Sequence, residues 1–463
     1  MTGWADLRGK RVGVWGLGRE GAANVRKLIA LGVTPVRVDD NPDGPGVLAT
    51  KDGGLEALAQ TDVVVKTPGI SRYRPEVAEL ARRGVTLAGG LGLWLAEQDP
   101  ARVVCVTGTK GKSTTTSIVA HLLTSLGHPC ATGGNIGTAP WDPERAEPEP
   151  EYWAIEVSSY QATDLHRAPP VVAVTSLHPD HLDWHGGIDR YYRDKLSLCT
   201  QPGARLTVAN GDSELLREFR SQLGPEVDWV HADDEPDADW MVPLGLFGQH
   251  NRRNALIARH LLSALGIAAG DAELHAAAAG YQGLPSRLAT VASVGGVLFV
   301  DDSLSTNVLP TLAALDAFPG QRVALIVGGH DRGIDYAPLA EGLARRAAAA
   351  ATLVLTIPDN GPRIHAAISA IPDPPDTVDC ADLTAATEAG FRWARPDGVV
   401  LLSPAAPSFG RFRDYRDRGD AFARAAAAIS LRPLSPGARR AAERARQAAR
   451  WRSWRRAARR IRR

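Results

Sequence analysis

At 463 residues the chain exceeds a single hydrophobic core, and roughly 150 residues per domain predicts three domains. Composition is that of a globular protein rich in Gly, Ala and Pro, and with no run of about 20 apolar residues no membrane-spanning helix is expected. The net charge of +1 conceals a division: residues 438–463 hold twelve Arg against one Glu, a surplus of eleven, which leaves −10 on the rest.

The start, Met1-Thr2-Gly3-Trp4-Ala5-Asp6, lacks a basic stretch followed by an apolar one, so no secretory signal is expected and the cytoplasm is the expected location. Cys105, Cys130, Cys199 and Cys380 are scattered without CxxC spacing and read as buried, reduced thiols. Lys10 to Trp15 predicts a first strand. Gly16-Leu17-Gly18-Arg19-Glu20-Gly21 follows at GxGxxG spacing and opens a helix over Ala22 to Leu31. A second strand, Val36 to Val38, ends in Asp39-Asp40, where a ribose or a uridine can be gripped; the spacing alone serves NAD equally well. Val63 to Val65 ends in Lys66-Thr67-Pro68-Gly69-Ile70-Ser71, a loop at a strand carboxyl end. Gly89-Gly90-Leu91-Gly92 and the segment to Pro100 form a junction.

The central stretch is Val103 to Thr107, then Gly108-Thr109-Lys110-Gly111-Lys112-Ser113-Thr114, then apolar residues at helical spacing from Ile118. Strand, phosphate loop and helix follow in that order. Gly108 and Gly111 let the backbone approach phosphate oxygens, the helix start presents free N–H groups, Lys112 reaches the β/γ-phosphates and the Ser113 hydroxyl suits Mg²⁺. Two residues separate the glycines where the general phosphate-loop pattern has four, so only its second half is matched. Tyr152 to Ile155 ends in Glu156, and Val171 to Thr175 is followed by His178-Pro179-Asp180-His181-Leu182-Asp183. Asp194-Lys195 lies on a helical segment with Tyr191 and Tyr192. Taken singly these are ordinary surface residues; together they suit a metal–nucleotide site. Asn251 and Asn254 share a helix face and can offer amides to a purine, although helix capping explains them as well. Further on, Val297 to Val300 ends in Asp301 to Asn307, Val323 to Val327 in Gly328 to Gly333, and Val399 to Leu402 in Ser403 to Ser408. This is the layout of a second nucleotide-type α/β domain.

The expected fold is α/β in three domains: Rossmann-like over 1–98, a central phosphate-loop domain over 99–284 and a Rossmann-like C-terminal domain over 285–434. An Arg-rich tail occupies 435–463. Trp451, Trp454, Ala458 and Ile461 fall near helical spacing there, which fits either a basic amphipathic helix on an anionic membrane surface or a solvated extension. Nucleic acid is not the expected partner.

These loops in this order resemble the Mur ligases of peptidoglycan precursor synthesis, in particular the UDP-N-acetylmuramoyl-L-alanine:glutamate ligases. The carrying segments include Gly16-Leu17-Gly18, Thr67 to Ile70, Thr107 to Thr114, Gly134-Asn135-Ile136-Gly137, Glu156 to Gln161, Pro179 to Asp183, His250 to Asn254, Gly283-Leu284-Pro285 with Arg287, Asp302-Ser303 and Leu402-Ser403-Pro404. The resemblance implies that Gly16, Leu17, Gly18, Asp39, Thr67 and Asn135 hold a UDP-sugar, and that Gly108 to Thr114, Asn254, Arg287 and Asp302 contact ATP. It implies Ser113, Glu156, His181 and a carbamylated Lys195 as Mg²⁺ ligands, with Lys112, Lys195 and His181 as the catalytic set. Thr306, Arg332, Ser408 and Tyr415 fall on amino-acid-binding positions. The implied reaction joins glutamate to UDP-N-acetylmuramoyl-L-alanine through an acyl phosphate, by a monomer.

The chain departs from the D-glutamate-adding pattern in its third domain. Leu304 and Ser305 stand where Lys-Ala is usual, Arg332 where Lys is usual, Gly410 where an acidic residue is usual and Tyr415 where Phe is usual; an acidic pair near Gly89-Gly90 is also missing. Exchanging Lys for Arg keeps the charge but replaces a point donor by a planar fork. The pattern resembles the subgroup that adds L-glutamate and relies on a separate epimerase; D-glutamate is the alternative. An NAD-dependent oxidoreductase would leave Gly111-Lys112-Ser113 without a task.

Overall fold

The computed structural model describes residues 3–235 and 238–431. The Arg-rich stretch from 438 onward, with its expected amphipathic helix, lies outside the described residues.

Short β-branched runs ending in glycine or a polar turn form strands buried on both faces, as parallel strands between helical layers must be. β1 (Val12–Trp15), β2 (Val36–Asp39), β3 (Val47–Ala49), β4 (Val63–Lys66) and β5 (Thr86–Gly89) build a parallel sheet in the order β3-β2-β1-β4-β5. β6 (Val103–Thr107), β7 (Cys130–Gly134), β8 (Tyr152–Glu156), β9 (Val171–Val174), β10 (Leu206–Asn210) and β11 (Glu226–Val230) build a second, in the order β11-β10-β9-β6-β8-β7. The third comprises β12 (Ala289–Val294), β13 (Val297–Asp301), β14 (Val323–Val327), β15 (Thr352–Thr356), β16 (Thr377–Asp379) and β17 (Val399–Leu402), in the order β12-β13-β17-β14-β15-β16. Its β12–β13 pair is antiparallel, closed by Gly295 and Gly296 at φ 58° and 90°, the backbone a tight hairpin demands.

The expected α/β architecture is therefore present. In the second sheet the chain passes from β6 to the edge strand β7, returns to β8 beside β6, then crosses to β9 on the other side. The ends of β6, β8 and β9 thus meet at a switch point, where open α/β sheets bind ligands. The first sheet has its switch between β1 and β4.

Two compact units result. One runs through Gly245 and includes Gln249–Gln282, with the first two sheets; the other comprises Leu246–Gly248 and the chain from Gly283, with the third. Within the first unit the expected junction is a packed one: Gly90 opens the helix Gly90–Leu95, and a Cβ there would lie 2.5 Å from both Trp141 Cζ2 and Asn24 Oδ1. Trp141 Nε1 donates to Asn24 Oδ1 at 2.9 Å. Lys66, at the end of β4, is buried and reaches across to the largely covered Asp164 at 2.5 Å. All four cysteines are free. Among the described residues no helix is long and apolar enough to cross a membrane.

Breaking the Lys66–Asp164 pair from one side strands a carboxylate away from water. Lys66→Met is expected to cost about 3–5 kcal/mol in urea unfolding, and Lys66→Met with Asp164→Leu to recover most of that loss.

Candidate nucleotide and ligation site

β6 is buried along its whole length and delivers the chain to Gly108 at φ +137°. A Cβ on Gly108 would lie 2.2 Å from Thr175 Oγ1 and 2.9 Å from the Ser176 nitrogen; one on Gly111, at φ +90°, would lie 2.6 Å from Asn254 Oδ1. The glycines are thus demanded by fold packing as well as by any phosphate. The loop after β9 braces them. Thr109 N–H donates to the Ser176 carbonyl at 2.8 Å, Lys110 N–H to Ser176 Oγ at 2.8 Å, and Thr175 Oγ1 to the Lys110 carbonyl at 2.6 Å. Thr109 Oγ1 meets the His178 carbonyl at 3.0 Å and Tyr191 OH at 2.9 Å. Helix Lys112–Ser125 starts here, with its positive end at the loop and Ser113 buried in its first turn. Lys112 Nζ lies 2.9 Å from the Gly108 carbonyl and 3.2 Å from that of Thr109.

At the end of β8, Glu156 is buried. Its Oε1 accepts from Asn135 Nδ2 at 2.7 Å, while Oε2 is buried with no hydrogen-bond partner in the protein. A buried, unsatisfied carboxylate oxygen is costly, and a cation satisfies it. Lys195 is 2% exposed, donates to the Gly108 carbonyl at 3.0 Å and sits 5.0 Å from the Tyr191 ring centre. Burial, reinforced by the charge of Lys112, holds its ammonium well below the ordinary lysine range. His181 adopts a left-handed conformation at φ 51°, 3.7 Å from Asp180, and burial lowers its pKa. Among the described residues no three acidic, His or Cys side chains converge as a preformed metal cage. The orphaned Glu156 oxygen is the feature of this site that fits a cation.

Gly16, at φ +89°, brings the first-sheet loop so close to Thr67 that a Cβ would sit 2.1 Å from its Oγ1. Gly18 has open space where its Cβ would be, at the start of helix Arg19–Ala30, so the backbone there is free for an anion. Asp39 turns inward: its oxygens accept from Leu17 N–H at 2.6 Å and Asn41 N–H at 2.9 Å, so its carboxylate shapes the loop. Asp40 pairs with Arg74 at 2.6 Å. Arg19 reaches the Asn135 carbonyl at 3.3 Å, so Asn135 links this loop to Glu156. Asn254 is buried, bonded to Asn251 at 3.1 Å and pressed on Gly111.

In the second unit Arg287 is flanked by Ser286 and Leu288 at φ 59° and 50°, a strained backbone for residues with side chains. Burial raises Asp302 to about 7; it accepts from Ser403 Oγ at 2.7 Å and Leu288 N–H at 3.2 Å. Arg332 lies 5.4 Å from the ring of Phe409, which is 50% exposed and follows the buried Ser408. Thr306 lies in the turn after β13, its N–H on the Leu304 carbonyl at 3.0 Å, and Tyr415 opens helix Tyr415–Leu431. Arg418, which the sequence reading missed, is fully buried and donates to the Ser303 and Ala406 carbonyls at 2.8 and 3.0 Å, tying these loops together. Thr175, Ser176 and Tyr191 were likewise missed as braces; paired hydroxyls ending an apolar run were the available signal.

A UDP-N-acetylmuramoyl-L-alanine–L-glutamate ligase from a Micromonospora strain is 42% identical over 450 residues, covering 90% of this chain and 97% of that protein. The chain belongs to the Mur ligase family. Residues 106–242 match the Mur ligase middle domain and residues 286–406 the Mur ligase glutamate ligase domain. Ligases of the same name from Salinispora tropica and Xanthomonas euvesicatoria pv. vesicatoria are 41% and 40% identical, each over 91% of this chain and over 98% and 96% of their own lengths. The fold is similar to that of UDP-N-acetylmuramate-alanine ligase MurC from Thermotoga maritima (TM-score 0.53, 16% identity, 91% of this chain and 100% of that one). It is also similar to the MurF ligase of the same organism, solved in complex with ADP (TM-score 0.54, 16% identity, 93% and 98%).

Two outcomes are expected. Gly108→Ala and Gly111→Ala each force a left-handed residue into occupied space, and isothermal titration should find ADP binding weakened more than tenfold in both. Because Asp302 keeps its proton in the folded protein up to about pH 7, against 3.8 unfolded, its ionisation weakens the fold as pH rises through that window. Asp302→Asn should therefore flatten the fall in thermal midpoint between pH 5 and 8.

Proposed function

We propose that this Mur ligase uses ATP to join L-glutamate to UDP-N-acetylmuramoyl-L-alanine. The observation that carries the reading is the pairing of a buried Lys195, held toward its neutral amine, with an unsatisfied Glu156 oxygen beside the glycine loop. A neutral amine can take up CO₂ as a carbamate, and the resulting anion completes a ligand set of Ser113, Glu156 and His181. Bound there, Mg²⁺ supplies positive charge against the phosphates.

An oxygen of the muramoyl-alanine carboxylate attacks the γ-phosphorus, ADP leaves, and an acyl phosphate forms. Two anions must meet for this, and Lys112 offsets their repulsion and steadies the charge spread over the transferring group. The glutamate amine, uncharged, then attacks the acyl carbon; phosphate departs as the amide forms. Gly16, Leu17, Gly18, Asp39, Thr67 and Asn135 are assigned to the nucleotide-sugar. Gly108, Thr109, Lys110, Gly111, Thr114, Asn254, Arg287 and Asp302 are assigned to ATP. Thr306, Arg332, Ser408 and Tyr415 are assigned to glutamate. Domain limits at 98/99 and 284/285, a monomer in the cytoplasm and an epimerase acting on the product belong to the same reading.

L-Glutamate is favoured over its enantiomer by the names of the similar ligases and by Arg332, whose fork presents two donors in a plane where the D-adding pattern has a point charge. With UDP-N-acetylmuramoyl-L-alanine and MgATP, phosphate release should be faster with L-glutamate than with D-glutamate; the reverse order reassigns the enzyme. Lys195→Ala should lose at least 100-fold in rate, on the order of a lost metal ligand, and regain part of it with added short carboxylates. Full activity in that variant removes the carbamate.

A further inference from the structure

A second polar chain runs beside the site and takes part in none of the steps above. His185 Nε2 lies 3.0 Å from Ser159 Oγ, and its Nδ1 lies 2.6 Å from Asp194 Oδ2. The order is that of a Ser–His–Asp triad. Ser159 is only 2% exposed and His185 0%, so no substrate carbonyl reaches the hydroxyl and a nucleophilic role is excluded. With Nδ1–H donating to the Asp194 carboxylate, Nε2 accepts from the serine hydroxyl, and one ring holds two elements. The imidazole is also wedged between Trp184 and Tyr191, at ring-centre distances of 4.5 and 5.2 Å. Tyr191 is the residue that touches Thr109 of the glycine loop.

The chain continues into the first sheet. Asp194 Oδ1 accepts from Tyr73 OH at 2.6 Å, and Ser71 Oγ donates to the Trp184 carbonyl at 3.1 Å. Tyr73 and Ser71 belong to the same loop as Thr67. Three members of the chain are close in sequence to residues of the site: Ser159 lies three residues beyond Glu156, Asp194 directly before Lys195 and His185 four residues beyond His181.

We propose that Tyr73, Asp194, His185 and Ser159 form a positioning bracket that holds Glu156 and Lys195 in register and couples them to the nucleotide-sugar loop. His185 is its central positioning residue. The proposal rests on the ligase reading for the roles of Glu156, Lys195 and Thr67, but the bracket itself is testable without turnover.

The full-length protein is compared with His185→Phe, His185→Gln and Tyr73→Phe in two arms. In hydrogen exchange, both His185→Phe and Tyr73→Phe should speed exchange in peptides covering 156–162, although Tyr73 lies in the loop that follows β4 of the first sheet. In phosphate release at fixed ATP, both should raise the apparent Mg²⁺ constant by about 10–100-fold, as loss of a group orienting metal ligands does. His185→Gln, which keeps one donor and one acceptor, should recover part of this. A merely structural role would lower the melting temperature without moving the Mg²⁺ constant. Unchanged exchange over 156–162 together with Mg²⁺ constants within twofold of wild type overturns the bracket. A wild type that leaves ATP uncleaved overturns the ligase reading instead, and the exchange comparison then decides the bracket alone.

Discussion

The structure turns on a close approach of backbone to backbone. β6 and β9 are parallel neighbours, and the loops leaving them press so tightly that position 108 has no room for a side chain and position 111 has a neighbouring amide where one would stand. From that crowding follow the left-handed turns, the carbonyls aimed at Lys112 and Lys195, and the helix start exposed to an anion. Thr175 and Ser176, on the adjoining loop, brace the short glycine loop through their hydrogen bonds to Lys110.

Charge is the second determinant. Two lysines, Lys112 and Lys195, both donate to the Gly108 carbonyl, one of them wholly buried. Loss of water, with the repulsion of Lys112 second, favours the neutral form of the buried one. Glu156 shows the opposite imbalance, with one oxygen satisfied by Asn135 and the other buried without a hydrogen-bond partner in the protein. Asn135 in turn is touched by Arg19 of the first-sheet loop, so Glu156 and that glycine loop are joined by a few hydrogen bonds inside one compact unit.

Much of this was legible in the amino-acid order because parallel strands announce themselves. Val63-Val64-Val65, Val103 to Val106 and Val399 to Leu402 are short β-branched or apolar runs, and each forms a strand that stops where a polar, Gly- or Pro-bearing loop begins. Gly108, Gly111 and Lys112 were readable because their chemistry is local. What was not readable depends on which strands become neighbours. Nothing near Asp39 says that its carboxylate will be taken up by Leu17 and Asn41, and nothing near His185 says that Ser159 and Asp194 will arrive on either side of it. Arg418 looks like one more helix arginine until the Ser303 and Ala406 carbonyls close over it. The resemblance named the third-domain positions, but why Arg332 lies against Phe409 is a matter of tertiary packing alone.

The central claim is that a carboxylate oxygen attacks phosphorus before any amide forms. That oxygen must leave with the phosphate, since the amine displaces it from the acyl carbon. The direct measurement uses UDP-N-acetylmuramoyl-L-alanine labelled with ¹⁸O in its terminal carboxylate, turned over with MgATP and L-glutamate, and mass analysis of the inorganic phosphate. The account predicts one ¹⁸O per phosphate released. Phosphate without label, alongside amide product, would contradict it.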